Sequence, residues 1–321
     1  MYIKIIATGI FAAVMAGHAL ADVPRTVPIY LSEDGHILTD AMVNGDGPYT
    51  FIVDTAAHST VVFDDFSEEA NLAELPTSQQ IQVQGATGIT EARLVEVGDV
   101  QMGQWAFTIS RAISLPSIDH MGDVAGVLGL SELFAQPVGF ALGKGQLDIY
   151  DADEAIGPAA ELEGEWFAIE LERRGGRFMW TTIAVNGVDI EAVIDTGARR
   201  SVINTAGAEA ISADIDFSTL DGDEPIRGAT DDMAEAWVLP VATVQLGERA
   251  WGGRQLTLSN PAIFRAMGRE TTPTVIFGAD FLAEQNFIID PAENVLWMEK
   301  RQSAALGYLV RPTTELSSAV Y

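Results

Sequence analysis

Short runs of alternating or β-branched residues make up most of the chain, and clusters of Gly, Asn, Asp and Pro separate them. Alternation with a period of two is typical of strands that bury one face, and the separating residues are typical of turns. The chain is therefore predicted to be all-β. In the first half the predicted strands are Val27–Leu31, His36–Val43, Tyr49–Val53, Gln80–Gln84, Ala92–Met102 and Trp105–Ile109.

Helical signals are few. Asn260 as N-cap, with Pro261 at the first helical position, predicts a helix that runs to about Met267. A second short helix is predicted over Ser67–Leu72. Short helices of this kind leave the all-β prediction unchanged.

Sequence blocks of the first half return in the second half, in the same order and at nearly constant spacing. The pair Asn44-Gly45, which suits a tight hairpin turn, returns as Asn186-Gly187. This ordered repetition predicts two homologous halves that differ by small loop insertions. The other matched blocks are Val83–Thr87 with Ile226–Thr230, Val97–Gly103 with Val241–Gly247, and Val127–Leu130 with Ile276–Ala279.

The most informative repeat is a four-residue loop that begins with an aspartate. Asp54–Ala57 (DTAA) follows the apolar run Phe51–Val53, and Asp195–Ala198 (DTGA) follows Ala192–Ile194. Because the same strand-loop-strand unit presents a carboxylate twice, we expect one site formed across a pseudo-twofold axis.

Two carboxylates held about 3 Å apart cannot both ionise, so they share one proton. The ionised group can accept a proton from a water molecule that attacks a peptide carbonyl. The protonated group can donate to the carbonyl oxygen, and a proton then passes to the leaving nitrogen. This chemistry needs one carboxylate from each half, and Asp54 with Asp195 meets that need.

These motifs resemble those of bilobal aspartic proteases of the pepsin/retropepsin-like superfamily, in particular bacterial exported proteins with two retropepsin-like halves on one chain. In that family D-T/S-G-A/S lies within an apolar strand, and Gly47–Val62 (GPYTFIVDTAAHSTVV) matches the pattern at almost every position. The resemblance implies two β-barrel lobes related by a pseudo-twofold axis, with a few short helices. It also implies an aspartic endopeptidase that works as a monomer without metal or organic cofactor.

The resemblance assigns further roles by position. Asp54 and Asp195 would be catalytic, and Thr55 and Thr196 would interlock and hold the dyad, next to Ala56 and Gly197. Two elements of the matched blocks would form flap hairpins over an extended peptide, and glycine there allows close approach to the substrate. The flap residues are Gly85, Ala86, Thr87, Gly228, Ala229 and Thr230, and Gly129 and Gly278 would pass behind the aspartate loops.

Two departures from the family pattern leave the activity open. Ala56 replaces the motif glycine, at a cost of about 1 kcal/mol if its φ is positive and little otherwise. A relative that binds extended peptides without cleaving them therefore remains an alternative, as does a protease confined to one partner or to its own N-terminal segment. Ala57 and Ala198 stand where pepsins carry hydroxyl residues, which predicts a mildly acidic rather than strongly acidic pH optimum.

The length of 321 residues suits two domains. Lys4, the apolar run Ile5–Leu20 and the Ala19–Ala21 tripeptide predict a signal peptide over 1–21, cut after Ala21. The mature protein is then expected in the periplasm or outside the cell. The predicted units are an N-terminal lobe over 22–150, a linker over 151–164, a C-terminal lobe over 165–310 and a tail over 311–321.

Charge and composition narrow the range of partners. The net charge of −28 repels phosphate backbones and anionic lipid, which argues against nucleic-acid binding and against membrane binding after signal cleavage. The chain has no cysteine and no H-E-x-x-H motif, so neither a disulfide scaffold nor a zinc site is predicted. A peptide or protein substrate is the expected partner. Arg199 and Arg200 are exceptional in so acidic a chain and are expected at the surface, where a salt bridge between lobes or a part in substrate selection stays open.

Overall fold

The computed structural model describes residues 24–76, 81–118, 122–129, 132, 136–151, 164–174, 178–212, 216–230, 232–302 and 310–311. The predicted signal peptide, residues 152–163 of the predicted linker and residues 312–321 of the predicted tail lie outside them. Strands account for 54% of the structure and helices for 11%, so the predicted all-β class is confirmed.

The first half contains strands β1 to β14, helix α1 (Asp64–Glu69) and a 3₁₀ turn at Leu142–Lys144. The strands are β1 (Arg25–Pro28), β2 (Tyr30–Ser32), β3 (Ile37–Val43), β4 (Asp46–Val53), β5 (Val61–Phe63), β6 (Ala73–Glu74), β7 (Ile81–Gln84), β8 (Ile89–Glu96), β9 (Gly98–Met102), β10 (Trp105–Ile109), β11 (Ala112–Leu115), β12 (Val124–Leu128), β13 (Val138–Ala141) and β14 (Gln146–Ile149).

The second half contains strands β15 to β27, helices α2 (Thr205–Ile211), α3 (Ala262–Ala266) and α4 (Ala279–Leu282), and a 3₁₀ turn at Phe217–Thr219. The strands are β15 (Trp166–Glu170), β16 (Glu172–Arg174), β17 (Phe178–Val185), β18 (Val188–Ile194), β19 (Val202–Ile203), β20 (Ile226–Arg227), β21 (Met233–Ala234), β22 (Trp237–Leu246), β23 (Arg249–Leu258), β24 (Thr274–Phe277), β25 (Gln285–Asp290), β26 (Val295–Gln302) and β27 (Val310–Arg311).

Each half builds the same three-stranded unit within its own large sheet. In the first half β12 lies between β4, which is parallel to it, and β5, which is antiparallel. In the second half β24 lies in the same way between β18 and β19. A separate six-stranded sheet, in the order β1-β14-β13-β25-β26-β15, takes strands from both halves and joins them.

The predicted hairpin turns are confirmed at both Asn-Gly pairs. Asn44 and Gly45 have φ values of 53° and 91°, and Asn186 and Gly187 have 51° and 80°. Positive φ at both central residues is the geometry that matches the twist of a two-residue hairpin, and Asn-Gly tolerates it best. These turns join β3 to β4 and β17 to β18, the two strands that lead into the aspartate loops.

The predicted helix boundaries are wrong by one to a few residues. Pro261 is the N-cap of α3 with ψ 155°, and the helix begins at Ala262, because the side chain of Asn260 instead accepts a hydrogen bond from the amide of Thr205 at 3.1 Å. Helix α1 begins at Asp64, so Ser67 lies inside it rather than before it. The burial of Phe66 in the core explains this earlier start, since it draws the first turn toward the sheet.

The predicted strand Ala92–Met102 is divided in the structure. It becomes β8 and β9, which are separated at Val97, because Gly98 takes a φ of 91° that ends the ladder. Trp105 in β10 and Trp251 in β23 are 4% and 3% exposed. Both belong to the main apolar core.

Candidate active site

The two aspartates stand at the ends of equivalent strands. The amide of Asp54, directly after β4, donates to the carbonyl of Leu128 at 3.0 Å, and the amide of Asp195, directly after β18, donates to Phe277 at 2.9 Å. Each aspartate is thus fixed by the parallel strand beside it, β12 or β24.

Two buried threonines tie the aspartate loops to each other. The amide of Thr55 donates to Oγ1 of Thr196, and the amide of Thr196 donates to Oγ1 of Thr55, both at 3.0 Å. Each hydroxyl also donates across the boundary, Thr55 to the carbonyl of Ile194 at 3.0 Å and Thr196 to that of Val53 at 2.7 Å. Four reciprocal hydrogen bonds therefore bring the loops of the two halves together.

Each carboxylate is held by two backbone amides of its own loop. Oδ1 of Asp54 accepts from Ala56 at 2.7 Å and from Ala57 at 2.8 Å. Oδ1 of Asp195 accepts from Gly197 at 2.9 Å and from Ala198 at 3.0 Å. The two carboxyl groups thus accept the same pair of amide hydrogen bonds, each from its own loop.

Burial raises the pKa of both carboxyl groups. For Asp54 the amide hydrogen bonds and a hydrogen bond from the Asp195 carboxyl act in the opposite direction. For Asp195 the charge of Asp54 adds to burial, and the pKa is raised well above its ordinary value. The pair therefore has the electrostatics of two carboxyls that share one proton.

Ala56 does not strain the first loop. Its φ is not positive, unlike that of four asparagines elsewhere in the described chain. Its amide still reaches Oδ1 of Asp54 at 2.7 Å. Of the two outcomes that the sequence leaves open for this substitution, the structure therefore has the one in which little is lost.

The two predicted flap segments form hairpin tips that meet each other. Gly85–Thr87 lies between β7 and β8, and Gly228–Thr230 follows β20. Oγ1 of Thr87 lies 2.9 Å from Oγ1 of Thr230, and both side chains are buried. The carbonyl of Ala86 also accepts from the amide of Ile263 at 2.9 Å. Among the described residues no hydrogen bond joins either tip to the aspartates.

Gly129 and Gly278 lie directly behind the aspartate loops. A β-carbon on Gly129 would lie 2.6 Å from the carbonyl carbon of Ser59, and one on Gly278 would lie 2.5 Å from the carbonyl oxygen of Ala198. Only glycine fits at such a close approach of backbone to backbone.

A second polar layer, which the sequence analysis missed, supports these glycines. Oγ of Ser201 accepts from the amide of Gly278 at 2.8 Å and donates to Oδ1 of Asp280 at 2.7 Å. Burial raises the pKa of Asp280 to about 6, although hydrogen bonds from Ser201 and backbone amides oppose this.

The first half repeats the arrangement, with Thr60 accepting from Gly129 at 3.3 Å and donating to Glu132. The sequence contains one signal for this second polar layer: a hydroxyl residue, Thr60 or Ser201, follows each aspartate at the same spacing along the chain.

Arg199 and Arg200 pair within the second half rather than across the lobes. Arg199 binds Glu224 at 2.8 Å, and Arg200 binds the largely buried Asp223. Both acids lie in the segment that leads into β20, so the pairs connect the second aspartate loop to the base of the second hairpin.

The described residues contain no group of three or more His, Asp or Glu residues that could hold a metal ion. None of the helices in that part of the chain is long and apolar enough to cross a membrane.

The fold and the paired aspartate loops define a bilobal, retropepsin-like protein. The family model for aspartyl proteases matches residues 39–131 and 181–281, which together make up more than half of the chain, and each segment contains one aspartate loop. The chain therefore belongs to the aspartyl protease family. No curated protein matches the chain.

Proposed function

We propose that the protein is an aspartic endopeptidase that hydrolyses peptide bonds with the Asp54/Asp195 dyad. The observation that carries this proposal is the reciprocal bonding of Thr55 and Thr196, which presents one carboxyl from each half at a common centre. The protein acts as a monomer, because one chain supplies both aspartates. No resident cofactor takes part.

The reaction uses one water molecule and the shared proton. The ionised carboxylate takes a proton from the water while the water oxygen bonds to the peptide carbonyl carbon. The protonated carboxyl donates its proton to the carbonyl oxygen. The C–N bond of the resulting gem-diol then breaks, and the proton first taken from water passes to the leaving nitrogen. The other carboxyl recovers its proton from a gem-diol hydroxyl.

The peptide binds in an extended conformation between the aspartate loops and the hairpin tips that act as flaps. An extended peptide satisfies its backbone groups as an added strand and places alternate side chains in pockets on opposite sides. Because the tips are joined by the Thr87–Thr230 hydrogen bond, entry of the substrate requires them to separate.

Cleavage of a mixed peptide library by residues 22–321 from pH 3 to pH 8 tests this function. Wild type is expected to show a bell-shaped profile with a mildly acidic optimum and to be inhibited by pepstatin. Asp54→Asn and Asp195→Asn are each expected to lose activity by about a thousand-fold or more, because each removes one member of the proton transfer. Cooperative thermal unfolding of both variants serves as the control for folding. An active Asp195→Asn protein would refute the mechanism.

The alternative is a protein that binds extended peptides without cleaving them. The replacement at Ala56 is the feature that favours it, whereas the retained 2.7 Å hydrogen bond to Asp54 favours cleavage. Retention of a peptide by well-folded wild type without cleavage at any pH would select this alternative. Cleavage of one protein only, with none in the library, would instead indicate a processing protease.

Export is part of the proposal. The apolar segment Ile5–Leu20 and the tripeptide Ala19–Ala21 predict removal of residues 1–21. Fractionation of expressing cells and N-terminal sequencing are expected to give a periplasmic or secreted protein that begins at Asp22. A cytoplasmic protein that retains Lys4 would contradict export.

A further inference from the structure

Gly197 lies directly against the carboxyl group of the opposite aspartate. A β-carbon on Gly197 would overlap Cγ and Oδ2 of Asp54 and lie 2.9 Å from its Oδ1. The φ of Gly197 is not in the left-handed region, so backbone conformation is not the reason for glycine here. The reason is space: the Asp54 carboxyl packs on the bare Cα of the other loop.

The equivalent position in the first loop does carry a methyl group. The reciprocal Thr55 and Thr196 hydrogen bonds relate the two loops by the pseudo-twofold axis. Ala56 therefore has the position relative to Asp195 that Gly197 has relative to Asp54. The approach seen between Gly197 and Asp54 leaves no room for a β-carbon. The pseudo-twofold relation therefore predicts that the Ala56 methyl, an apolar group, stands beside Asp195 and that the separation there is wider.

The hydrogen bonds to the two carboxyls differ in the same sense. The amides that bind Asp54 lie at 2.7 and 2.8 Å, whereas those that bind Asp195 lie at 2.9 and 3.0 Å. Amide donors stabilise the ionised form of a carboxyl, and an apolar neighbour destabilises it. Both differences favour charge on Asp54 and the proton on Asp195.

We infer that Ala56 is a positioning residue that makes the dyad unequal before substrate binds, with Asp54 ionised and Asp195 protonated. This inference rests on the proposed function only for its catalytic meaning, which is that Asp54 takes the proton from water and Asp195 donates to the carbonyl. The pKa of Asp195, raised well above its ordinary value by burial and by the charge of Asp54, agrees with this order.

No other charged group explains the inequality. In the described part of the chain, no hydrogen bond joins a further charged side chain to either dyad carboxyl. Among the described residues, the titratable and charged side chains on the elements packed around the dyad are His58, Arg199 and Arg200 on the loops, Glu132 and Asp280 behind them, and Asp232 beside the first hairpin tip.

A stability cycle tests the inference without requiring activity. Asn mimics a neutral carboxyl, so Asp195→Asn is expected to unfold at or above the wild-type temperature, increasingly so from pH 4 to pH 7. Asp54→Asn is expected to unfold several degrees lower, because it removes the charge that the Ala56 and Ala57 amides bind. In an Ala56→Gly background the difference between the two Asn variants should shrink.

Ala57→Gly is the matched control, since it makes the same change one residue later. The Ala57 methyl packs against an apolar cluster that includes Leu38 and Ile52, so its loss should leave the difference between the Asn variants unchanged. Equal effects of the two Asn substitutions in wild type, or an equal difference with and without the Ala56 methyl, would overturn the inference.

The pH profile of kcat/KM gives a second readout. Ala56→Gly should move the upper limb, which reports loss of the Asp195 proton, to lower pH by about half a unit or more, and Ala57→Gly should move it less. An unchanged upper limb in Ala56→Gly would count against the inference. If the wild type cleaves nothing, the proposed function fails while the stability cycle still decides where the proton lies.

Discussion

At the scale of single residues, the site depends on a partly buried acid behind each aspartate loop. Asp280 accepts a hydrogen bond from the hydroxyl of Ser201, and this hydroxyl accepts one from the amide of Gly278. In the first half Glu132 accepts a hydrogen bond from the hydroxyl of Thr60. These acids hold the glycine elements against the loops through a hydroxyl, without contacting the dyad.

The raised pKa of Asp280, about 6, predicts how stability depends on pH. A carboxyl whose folded pKa exceeds its unfolded value stabilises the fold below about pH 4, and this contribution is lost as pH rises through 6. Asp280→Asn should therefore gain stability relative to wild type between pH 4 and pH 7, because the amide stays neutral. Chemical denaturation at several pH values measures this, and parallel curves for the two proteins would contradict it.

Asp223 should behave in the opposite way. Burial raises its pKa, but hydrogen bonds from Arg200, the Glu224 amide and Thr257, with the charge of Arg200, outweigh this and lower it. Its contribution is present above about pH 4 and is lost as pH falls. Asp223→Asn should therefore be less stable than wild type at pH 7, and the two should converge at acid pH. A constant difference across the range would show that the ion pair is not the cause.

At the scale of elements, the Thr55/Thr196 crossing holds the ends of β4 and β18 together. Thr55→Val leaves the amide of Thr196 and the carbonyl of Ile194 without their partner, and both are buried. Because unsatisfied buried groups cost about 1–3 kcal/mol each, we expect a loss of about 2–4 kcal/mol in the free energy of unfolding. Thr55→Ser keeps the hydroxyl and should lose much less. Equal losses in urea titrations of the two variants would assign the effect to packing.

A hydrogen bond between two threonine hydroxyls joins the hairpin tips. Thr87→Val keeps the shape of the side chain but removes the hydrogen bond to Thr230. The tips should then separate more often, and the amide of Ile263, which binds the carbonyl of Ala86, should exchange with solvent about two- to fivefold faster. Thr87→Ser is the control that keeps the bond. An unchanged exchange rate in Thr87→Val would mean that the first tip is held by its backbone contact alone.

At the scale of the whole molecule, the six-stranded sheet couples the two halves. Strand β13 of the first half pairs with β25 of the second, and Phe140 stacks on Phe287 with ring centres 4.5 Å apart. Both rings are almost completely buried. We therefore expect the halves to unfold together rather than one after the other.

Removing one of these rings tests that coupling. Phe287→Ala should cost about 3–5 kcal/mol through the lost burial and the cavity left behind. If the halves are coupled, hydrogen exchange should show the same loss of protection in the strands around Trp105 and in those around Trp251. A loss confined to the second half would show that the lobes unfold independently.

The sequence by itself determined the features that depend on short stretches of chain. The Asn44-Gly45 and Asn186-Gly187 turns follow from the φ values that these residues tolerate, and burial of Trp105 follows from its place in an alternating strand. The repeated aspartate loops could be read in the same way, because each is a local strand-loop unit that occurs twice.

Only the tertiary structure decided which distant groups meet. Ser201 could be seen in the sequence, but not its partner Asp280, because many acids of the chain could have served. Whether Ala56 is tolerated depended on its φ, and the need for glycine at 197 depended on the position of Asp54. Local backbone preference is encoded residue by residue, whereas contacts between the two lobes exist only after both have packed around one axis.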